Sequence, residues 1–351
     1  MLMVSDVKRI GLIVLGYIVA PLRLVFVLNT ARQLYLWSIN EKCRSRILEV
    51  FDPTFPRHPS KRGHGKRYEI VTCLWGETLK LDIDEHIGYT IFMRSFFDLV
   101  PIAVGMLMMQ SLRSGDKHDK VYLDVGANIG SSSIGLALRG FPVVAVEASP
   151  RTAARLSENV ALNSPLPYTI LNVGVTSKEM AAKDKFLTLH TIQGNPGASS
   201  LVPGWAGRAV ASDEITRLLT IDDIARMLGD IDIAYIKVDV EGYEMNALAG
   251  ARETLIRFRP VVLFEWRPDA MDHDRPSGQA ITALFPNDYT FFSVGAAIEN
   301  DRSIRLFLRS FDPNASAENI IAIPSGLDPA SRIGALRESG TALVLVAEPS
   351  S

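Results

Sequence analysis

The sequence is poor in cysteine and carries almost no net charge, and each shortage excludes a class of protein. Cys43 and Cys73 are its only cysteines, too few for a disulfide framework or a cysteine-based zinc site, and they fit a reducing cytosolic compartment. The formal net charge of -2 over 351 residues gives no general attraction to nucleic acid, so no such partner is predicted. What the sequence does have is 47% hydrophobic residues, enough for the core of a large α/β domain with extensions.

The first section, residues 1–51, contains a long apolar run from Ile10 to Leu28 whose length is close to a bilayer span. Pro21 and Arg23 interrupt the run, and a charge near mid-span costs roughly 2.5–3.5 kcal/mol on insertion scales. Two interpretations therefore stay open: membrane contact through residues 10–28, or a pair of helices packed on the rest of the chain. The heavier basic flank follows the run, so insertion would keep the remaining chain cytoplasmic, at the inner face of the membrane.

The second section, residues 52–84, is interpreted as a basic linker followed by a β-hairpin. Asp52 to Arg67 is crowded with proline, glycine and basic residues, which is typical of a loop. The alternating pattern after it predicts two strands, Tyr68 to Trp75 and Thr78 to Ile83. The third section, residues 85–351, is the predicted main domain, and it begins with one helical stretch from Glu85 to Ser114.

Residues 121–150 have the pattern of a parallel βαβ unit. Two β-branched runs, Val121 to Val125 and Val143 to Val146, enclose a helix of small residues. The glycine loop from Gly126 to Gly130 lets the backbone turn tightly and come close to a ligand. Glu147 ends the second strand, about twenty residues past the loop, where an acid can take ribose hydroxyls. This unit predicts the binding site of a nucleoside cofactor.

Three charged residues lie near the end of a further predicted apolar strand. Lys237, Asp239 and Glu241 alternate, so they point the same way if the strand extends that far, which is an expensive arrangement in a buried sheet. The simple alternative is a Lys–Asp pair with a helix-capping acid, but three charges beside a cofactor site favour function. A divalent ion could also take oxygen ligands from the acidic residues of this region, which are Asp239, Glu241, Glu244 and Glu265. No spacing in the sequence requires such an ion, so no metal is predicted.

With these stretches taken together, the chain resembles the FkbM family of S-adenosylmethionine-dependent methyltransferases from about Glu85 to Pro324. The resemblance is carried by LDVGANIG followed by VEASP, by NPGASS at residues 195–200, by TIDD at residues 220–223, and by IKVDVEGYE at residues 236–244. It implies a Rossmann-like class I methyltransferase fold: an α/β domain with a mostly parallel sheet and an antiparallel terminal strand. The N-terminal helical and hairpin extension lies outside this shared region.

The resemblance also implies roles for individual residues. The cofactor S-adenosylmethionine would be held by Asp124, Gly126, Ala127, Asn128 and Gly130 at its methionine part and by Glu147, beside Ala148, at its ribose. Methyl transfer to a hydroxyl requires that the acceptor is aligned and that its proton is removed. Asp239 is the first candidate for the base and Glu241 the second, while Lys237 would neutralise them or orient the acceptor.

Family members commonly methylate hydroxyls, so the resemblance implies an O-methyltransferase acting on a sugar, a glycolipid or a polyketide-like acceptor. The partner would be a small molecule or a lipid-linked glycan. One alternative is an NAD-dependent Rossmann-fold oxidoreductase or epimerase, but the glycines here have the spacing G-x-x-x-G rather than G-x-G-x-x-G. A second alternative is a non-catalytic, membrane-tethered module that binds a nucleoside.

Overall fold

The computed structural model describes residues 67–112, 120–192, 195–202, 210–267, 278–298, 304–313, 318–326 and 343–347. The section 1–51, with its apolar run at residues 10–28, and almost all of the basic linker lie outside these ranges. No helix within the described ranges is long and apolar enough to cross a bilayer. The chain divides into two compact units. The first unit comprises residues 1–74 and 79–97, and the second comprises residues 75–78 and 98–351.

The first unit contains the predicted pair of strands. Strands β1 (Tyr68–Thr72) and β2 (Thr78–Asp82) form a two-stranded sheet, as predicted. Helix α1 (His86–Arg94) ends at Ser95, which adopts a left-handed conformation with φ 69° and donates its backbone N–H to Ile91.

The prediction of one continuous helix over residues 85–114 is wrong. The left-handed Ser95 ends α1, and a new helix, α2 (Val100–Leu112), begins five residues later. Pro101 lies in the first turn of α2, where its missing N–H costs nothing. The sequence placed this proline inside a helix, whereas it marks a helix start.

The second unit holds the main sheet and the helices around it. Its strands are β3 (Lys120–Val125), β4 (Val143–Val146), β5 (Tyr168–Leu171), β6 (Gly174–Val175), β7 (Phe186–Ile192), β8 (Val210–Leu219), β9 (Asp232–Val238), β10 (Val261–Trp266), β11 (Tyr289–Ile298), β12 (Ile304–Ser310), β13 (Glu318–Pro324) and β14 (Leu343–Ala347). Its further helices are α3 (Ile134–Ala137), α4 (Pro150–Leu162), α5 (Lys178–Lys183), α6 (Ile221–Leu228), α7 (Glu244–Ala249), α8 (Arg252–Phe258) and α9 (Gly278–Thr282).

The main sheet confirms the predicted fold class. Its nine strands have the order β14-β12-β11-β13-β10-β9-β3-β4-β5. Neighbouring strands from β5 to β10 are parallel, and β13 is antiparallel to both β10 and β11. This is a mostly parallel Rossmann-like sheet in which β13, β12 and β14, all on one side of β10, run opposite to the parallel strands. Strands β5 and β6 are close in sequence but lie in different sheets, since β5 belongs to this sheet and β6 pairs with β8 in a separate three-stranded sheet.

Local sequence signals account for the helices beside the sheet. Ser149 caps α4 by accepting the backbone N–H of Thr152, and Thr220 and Asp223 form a capping box at the start of α6. The apolar faces of these elements pack on the central strands, where Leu123 and Ile236 are fully buried.

Strand register brings the ends of four parallel strands to one edge of the sheet. Val125 is paired with both Val146 and Val238, and Val238 is paired with Phe264. The residues that directly follow these positions are Gly126, Glu147, Asp239 and Glu265. The ligand site of an open α/β sheet lies at this carboxyl edge.

Glu77 is a buried acid next to α3, and the pH dependence of its burial provides a test of the fold. Glu77 is 1% exposed, and burial raises the pKa of its carboxyl from 4.5 to about 8, although backbone N–H groups and Arg139 oppose the shift. The folded state therefore holds a proton that the unfolded state releases, and the free energy of unfolding falls as the pH rises from about 4.5 to about 8.

We expect Glu77→Gln to be more stable than the wild type at pH 8.5, by at least about 1 kcal/mol at about 1.4 kcal/mol per pKa unit. The difference should shrink towards pH 4.5, because the folded wild type then keeps its proton and the unfolded wild type is already half protonated. Denaturant titration at both pH values measures it, with the exposed Glu179→Gln as the control. Equal pH dependence in the wild type and in Glu77→Gln would contradict this assignment.

Candidate active site

The glycine loop after β3 is held against the ends of the neighbouring strands. The backbone N–H groups of Gly126 and Ala127 donate to the carbonyl of Val146 at 2.9 and 3.0 Å. Gly126 has a φ of +80°, and a Cβ atom on it would lie 1.8 Å from the backbone oxygen of Asp239. Only glycine fits here, because the loop turns in the left-handed region and touches the backbone that follows β9.

Glu147, which the sequence predicts at the ribose, fixes the loop. Its Oε2 accepts the backbone N–H of Asn128 at 2.9 Å, and its Oε1 accepts that of Ser149 at 2.9 Å. Burial raises the pKa of this carboxyl to about 7, and the two N–H donors oppose the shift. The next residue, Ala148, packs against an apolar cluster that includes Leu189 and Leu201. The sequence placed Glu147 at the cofactor but gave no sign of its bonds to the loop.

Lys237 joins the cofactor loop to the acidic residues. Its Nζ lies 3.1 Å from Asp239 Oδ2 and 3.5 Å from Asp124 Oδ1, and it donates to the carbonyl of Gly126 at 3.3 Å. Asp124 is fully buried and also accepts the hydroxyl of Ser132. Burial opposes the charge on Lys237, but Asp239 and Asp124 outweigh it and raise the lysine pKa above its usual value.

Asp239 is the member of this group that reaches the open edge. Its side chain is 41% exposed, whereas those of Lys237 and Asp124 are 7% and 0% exposed. The backbone N–H of Asp239 donates to the carbonyl of Val125, which fixes the start of its segment next to the cofactor loop. The side chain of Asp239 therefore lies beside the loop, where it pairs with the buried Lys237.

The strand alternation that linked Lys237, Asp239 and Glu241 does not extend to Glu241. Strand β9 ends at Val238, and Glu241 has a left-handed φ of 52°. Its carboxylate lies 3.9 Å from Arg267, and its backbone oxygen accepts the hydroxyl of Ser200 at 2.7 Å. Burial and then the Asp239 and Glu265 carboxylates raise the pKa of Glu241 to about 8.

A trio of carboxylates lies behind this turn. Oxygens of Asp239, Glu244 and Glu265 are all within 4.8 Å of one another. Burial raises the pKa of Glu244 to about 8 and that of Glu265 to about 7, and in both cases the Asp239 charge contributes to the shift. The sequence named all three as candidate oxygen ligands, but no spacing showed that they meet.

Sequence reasoning missed three residues at this edge. Asp98 accepts the N–H of Val100 at the start of α2, and burial together with Asp239 raises its pKa. Ser200 lies within the loop of residues 195–202, and Arg267 directly follows β10. The NPGASS stretch was a visible signal for Ser200, whereas nothing in the sequence pointed to Asp98.

The residues present fit S-adenosylmethionine on two grounds. The loop after β3 turns at Gly126 with φ +80° and lies against the ends of β4 and β9, so its backbone stands at the carboxyl edge where an open α/β sheet binds its ligand. Among the described residues, carboxyl groups at the edge also outnumber the basic groups Lys237 and Arg267, so the edge offers oxygen atoms, including the exposed carboxylate of Asp239, to a positively charged sulfonium.

A comparison of the chain with models of protein families finds a match to one family. Residues 124–293 match the family model described as the methyltransferase FkbM domain. No curated protein matches the chain.

Solved structures with partial similarity carry methyltransferase names. Methyltransferase FkbM from Methylobacillus flagellatus KT is 19% identical and has a TM-score of 0.33, with 62% of this chain and 47% of that chain covered. The SAM-dependent methyltransferase from Agrobacterium tumefaciens is 11% identical with a TM-score of 0.40, covering 76% and 72%. An O-methyltransferase from Bacillus cereus in complex with SAH is 15% identical with a TM-score of 0.34, covering 65% and 83%. The chain thus spans about half the length of the first of these proteins.

Proposed function

We propose, from the premise that residues 124–293 form a methyltransferase FkbM domain, that the chain transfers a methyl group from S-adenosylmethionine to a hydroxyl oxygen. The family match confirms three predictions made from the sequence: the family, the methyltransferase class and the cofactor. The acceptor and the residue roles go beyond that match. The observation that carries them is Asp239, a half-exposed carboxylate fixed by Lys237 directly beside the glycine loop.

S-adenosylmethionine supplies an electrophilic methyl group on a sulfonium. In the proposed reaction the sulfur–carbon bond breaks, a carbon–oxygen bond forms and the hydroxyl proton leaves. The Gly126 loop and Glu147 hold and orient the cofactor, and Asp239 accepts the acceptor's hydrogen bond and then its proton. Lys237 keeps Asp239 in place, and Glu241 is the second candidate for the base.

The charge of the edge supports a hydroxyl-rich acceptor. Carboxylates accept hydrogen bonds from sugar hydroxyls, whereas an excess of them repels an anionic acceptor such as a phosphate. We therefore propose a sugar, a glycolipid or a polyketide-like molecule as the acceptor, and favour a carbohydrate, either small or lipid-linked.

We also propose that the protein works in the cytoplasm, attached to the inner face of the membrane through residues 10–28. The apolar length and the basic flank of that run support this proposal. Fractionation of the full chain against a chain that starts near Asp52 tests it, and an equal membrane fraction for both would refute it.

Two measurements test the function. Calorimetry with S-adenosylmethionine, S-adenosylhomocysteine and NAD should show binding of the first two, and binding of NAD alone would favour the oxidoreductase alternative. Methyl-labelled S-adenosylmethionine should then label glycolipid or polysaccharide extracts from cells. Cofactor binding without transfer to any hydroxyl-bearing extract would leave the non-catalytic nucleoside-binding module as the better description.

A further inference from the structure

The trio of Asp239, Glu244 and Glu265 has the geometry of a cation site. Its members come from three places: the residue after β9, the first residue of α7 and the penultimate residue of β10. No two of their ligand atoms are more than 4.8 Å apart. Two oxygens on opposite sides of an ion are about 4.8 Å apart at a metal–oxygen distance of about 2.4 Å, so these separations lie at the upper limit that one large ion such as Ca²⁺ spans.

Glu244 provides a second observation that is independent of the clustering. Its side chain is 1% exposed, and its Oε1 accepts the backbone N–H groups of Val240 and Gly242 at 3.0 and 3.2 Å. Its Oε2 is buried and has no hydrogen-bond partner in the part of the chain that is described. Capping the turn before α7 uses only Oε1, so capping leaves a buried carboxylate oxygen unsatisfied, which is costly.

The surrounding charges strengthen the need for a positive partner. Lys237 is shared between Asp239 and Asp124, and Arg267 lies beside Glu241. Acidic groups at this edge therefore exceed the two basic groups. A divalent cation in the trio would provide a partner for the buried Oε2 of Glu244 and bring positive charge to a group of residues in which carboxyl groups outnumber basic ones.

We propose that Asp239, Glu244 and Glu265 bind one of the hard divalent cations, among which Ca²⁺ fits best because its metal–oxygen distances of about 2.3–2.6 Å can reach oxygens up to 4.8 Å apart. The donors are all oxygens, which these ions prefer, whereas zinc and copper sites draw on histidine or cysteine. The existence of the site rests on the three carboxylates alone. Its use rests on the proposed function: the cation would orient the acceptor hydroxyl and make it more acidic, and with Asp239 bound to the ion the proton would pass to Glu241, the second candidate for the base, which is outside the trio.

The test uses the full chain after treatment with a chelator. Electron paramagnetic resonance of Mn²⁺ and calorimetry with Ca²⁺ should show one bound ion per chain. Glu265→Gln and Glu244→Gln should each weaken binding about tenfold or more, because even residues that only support metal ligands are worth 10- to 100-fold in affinity. Glu253→Gln is the matched control, since Glu253 is an exposed carboxylate paired with Lys178 and Arg226 elsewhere in the same unit.

Absence of Mn²⁺ and Ca²⁺ binding, or binding unchanged in both variants, would overturn the proposal. If Glu244→Gln fails to fold, Glu265→Gln decides alone, because Glu265 lies at a strand end and caps no helix. S-adenosylmethionine binding by the chelated protein is measured alongside. Binding of the cofactor without binding of a cation would refute only the cation site. Binding of the cation without binding of the cofactor would refute only the proposed function.

Discussion

Gly126→Ala should weaken S-adenosylmethionine binding at least about 100-fold, which corresponds to about 2.8 kcal/mol. The added Cβ would lie 1.8 Å from the backbone oxygen of Asp239 and 2.8 Å from the carbonyl carbon. Neither atom belongs to a flexible side chain, so the loop and the segment after β9 must move apart. That movement would also disturb the contact between Lys237 and the carbonyl of Gly126. Calorimetry measures the loss of affinity, and thermal unfolding reports the accompanying loss of stability.

Gly140→Ala separates the steric clash from backbone strain. Gly140 has nearly the same conformation, with φ +84°, but a Cβ there meets nothing within 4 Å. Alanine in the left-handed region costs about 1–2 kcal/mol at either position. We therefore expect Gly140→Ala to lose some stability and keep its cofactor affinity. If both variants bind S-adenosylmethionine as the wild type does, the loop after β3 does not hold the cofactor as proposed.

Features fixed by local sequence were predictable. The β-branched runs, the glycine loop and the acids at the strand ends were enough to predict a parallel sheet with a cofactor edge, since parallel strands end together. Pairing of Val125 with Val146 and Val238 then places Gly126, Glu147 and Asp239 side by side. The capping of α6 by Thr220 is equally local, because a cap depends on neighbours within four residues.

Features that depend on one backbone dihedral or on distant contacts were not predictable. The left-handed Ser95 ends α1 where the apolar pattern continues, and the left-handed Glu241 ends an alternation that the residue types alone would extend. The meeting of Glu244 with Glu265 depends on how α7 follows β9 and on the register of β10. Sequence spacing carries neither fact, so the carboxylate trio became visible only in three dimensions.

Asp239→Asn should lower the turnover of methyl transfer by about 10²- to 10⁴-fold while changing S-adenosylmethionine affinity little. The substitution keeps the shape but removes the group proposed to accept the proton, a step worth this much in other enzymes. Lys237 keeps its contacts with Asp124 and Gly126, so the cofactor loop stays supported. Turnover with the labelled acceptor and calorimetry with the cofactor measure the two quantities separately.

Asp232→Asn is the matched control because it breaks an equivalent ion pair at the other end of the same strand. Asp232 begins β9 and lies 3.1 Å from Lys120, the same separation as between Asp239 and Lys237. It is remote from the carboxyl edge, so its loss should affect stability alone. Turnover that survives in Asp239→Asn would remove Asp239 as the base and turn attention to Glu241. Equal losses of turnover in Asp239→Asn and Asp232→Asn would show that an ion pair supporting β9, rather than proton transfer, limits the reaction.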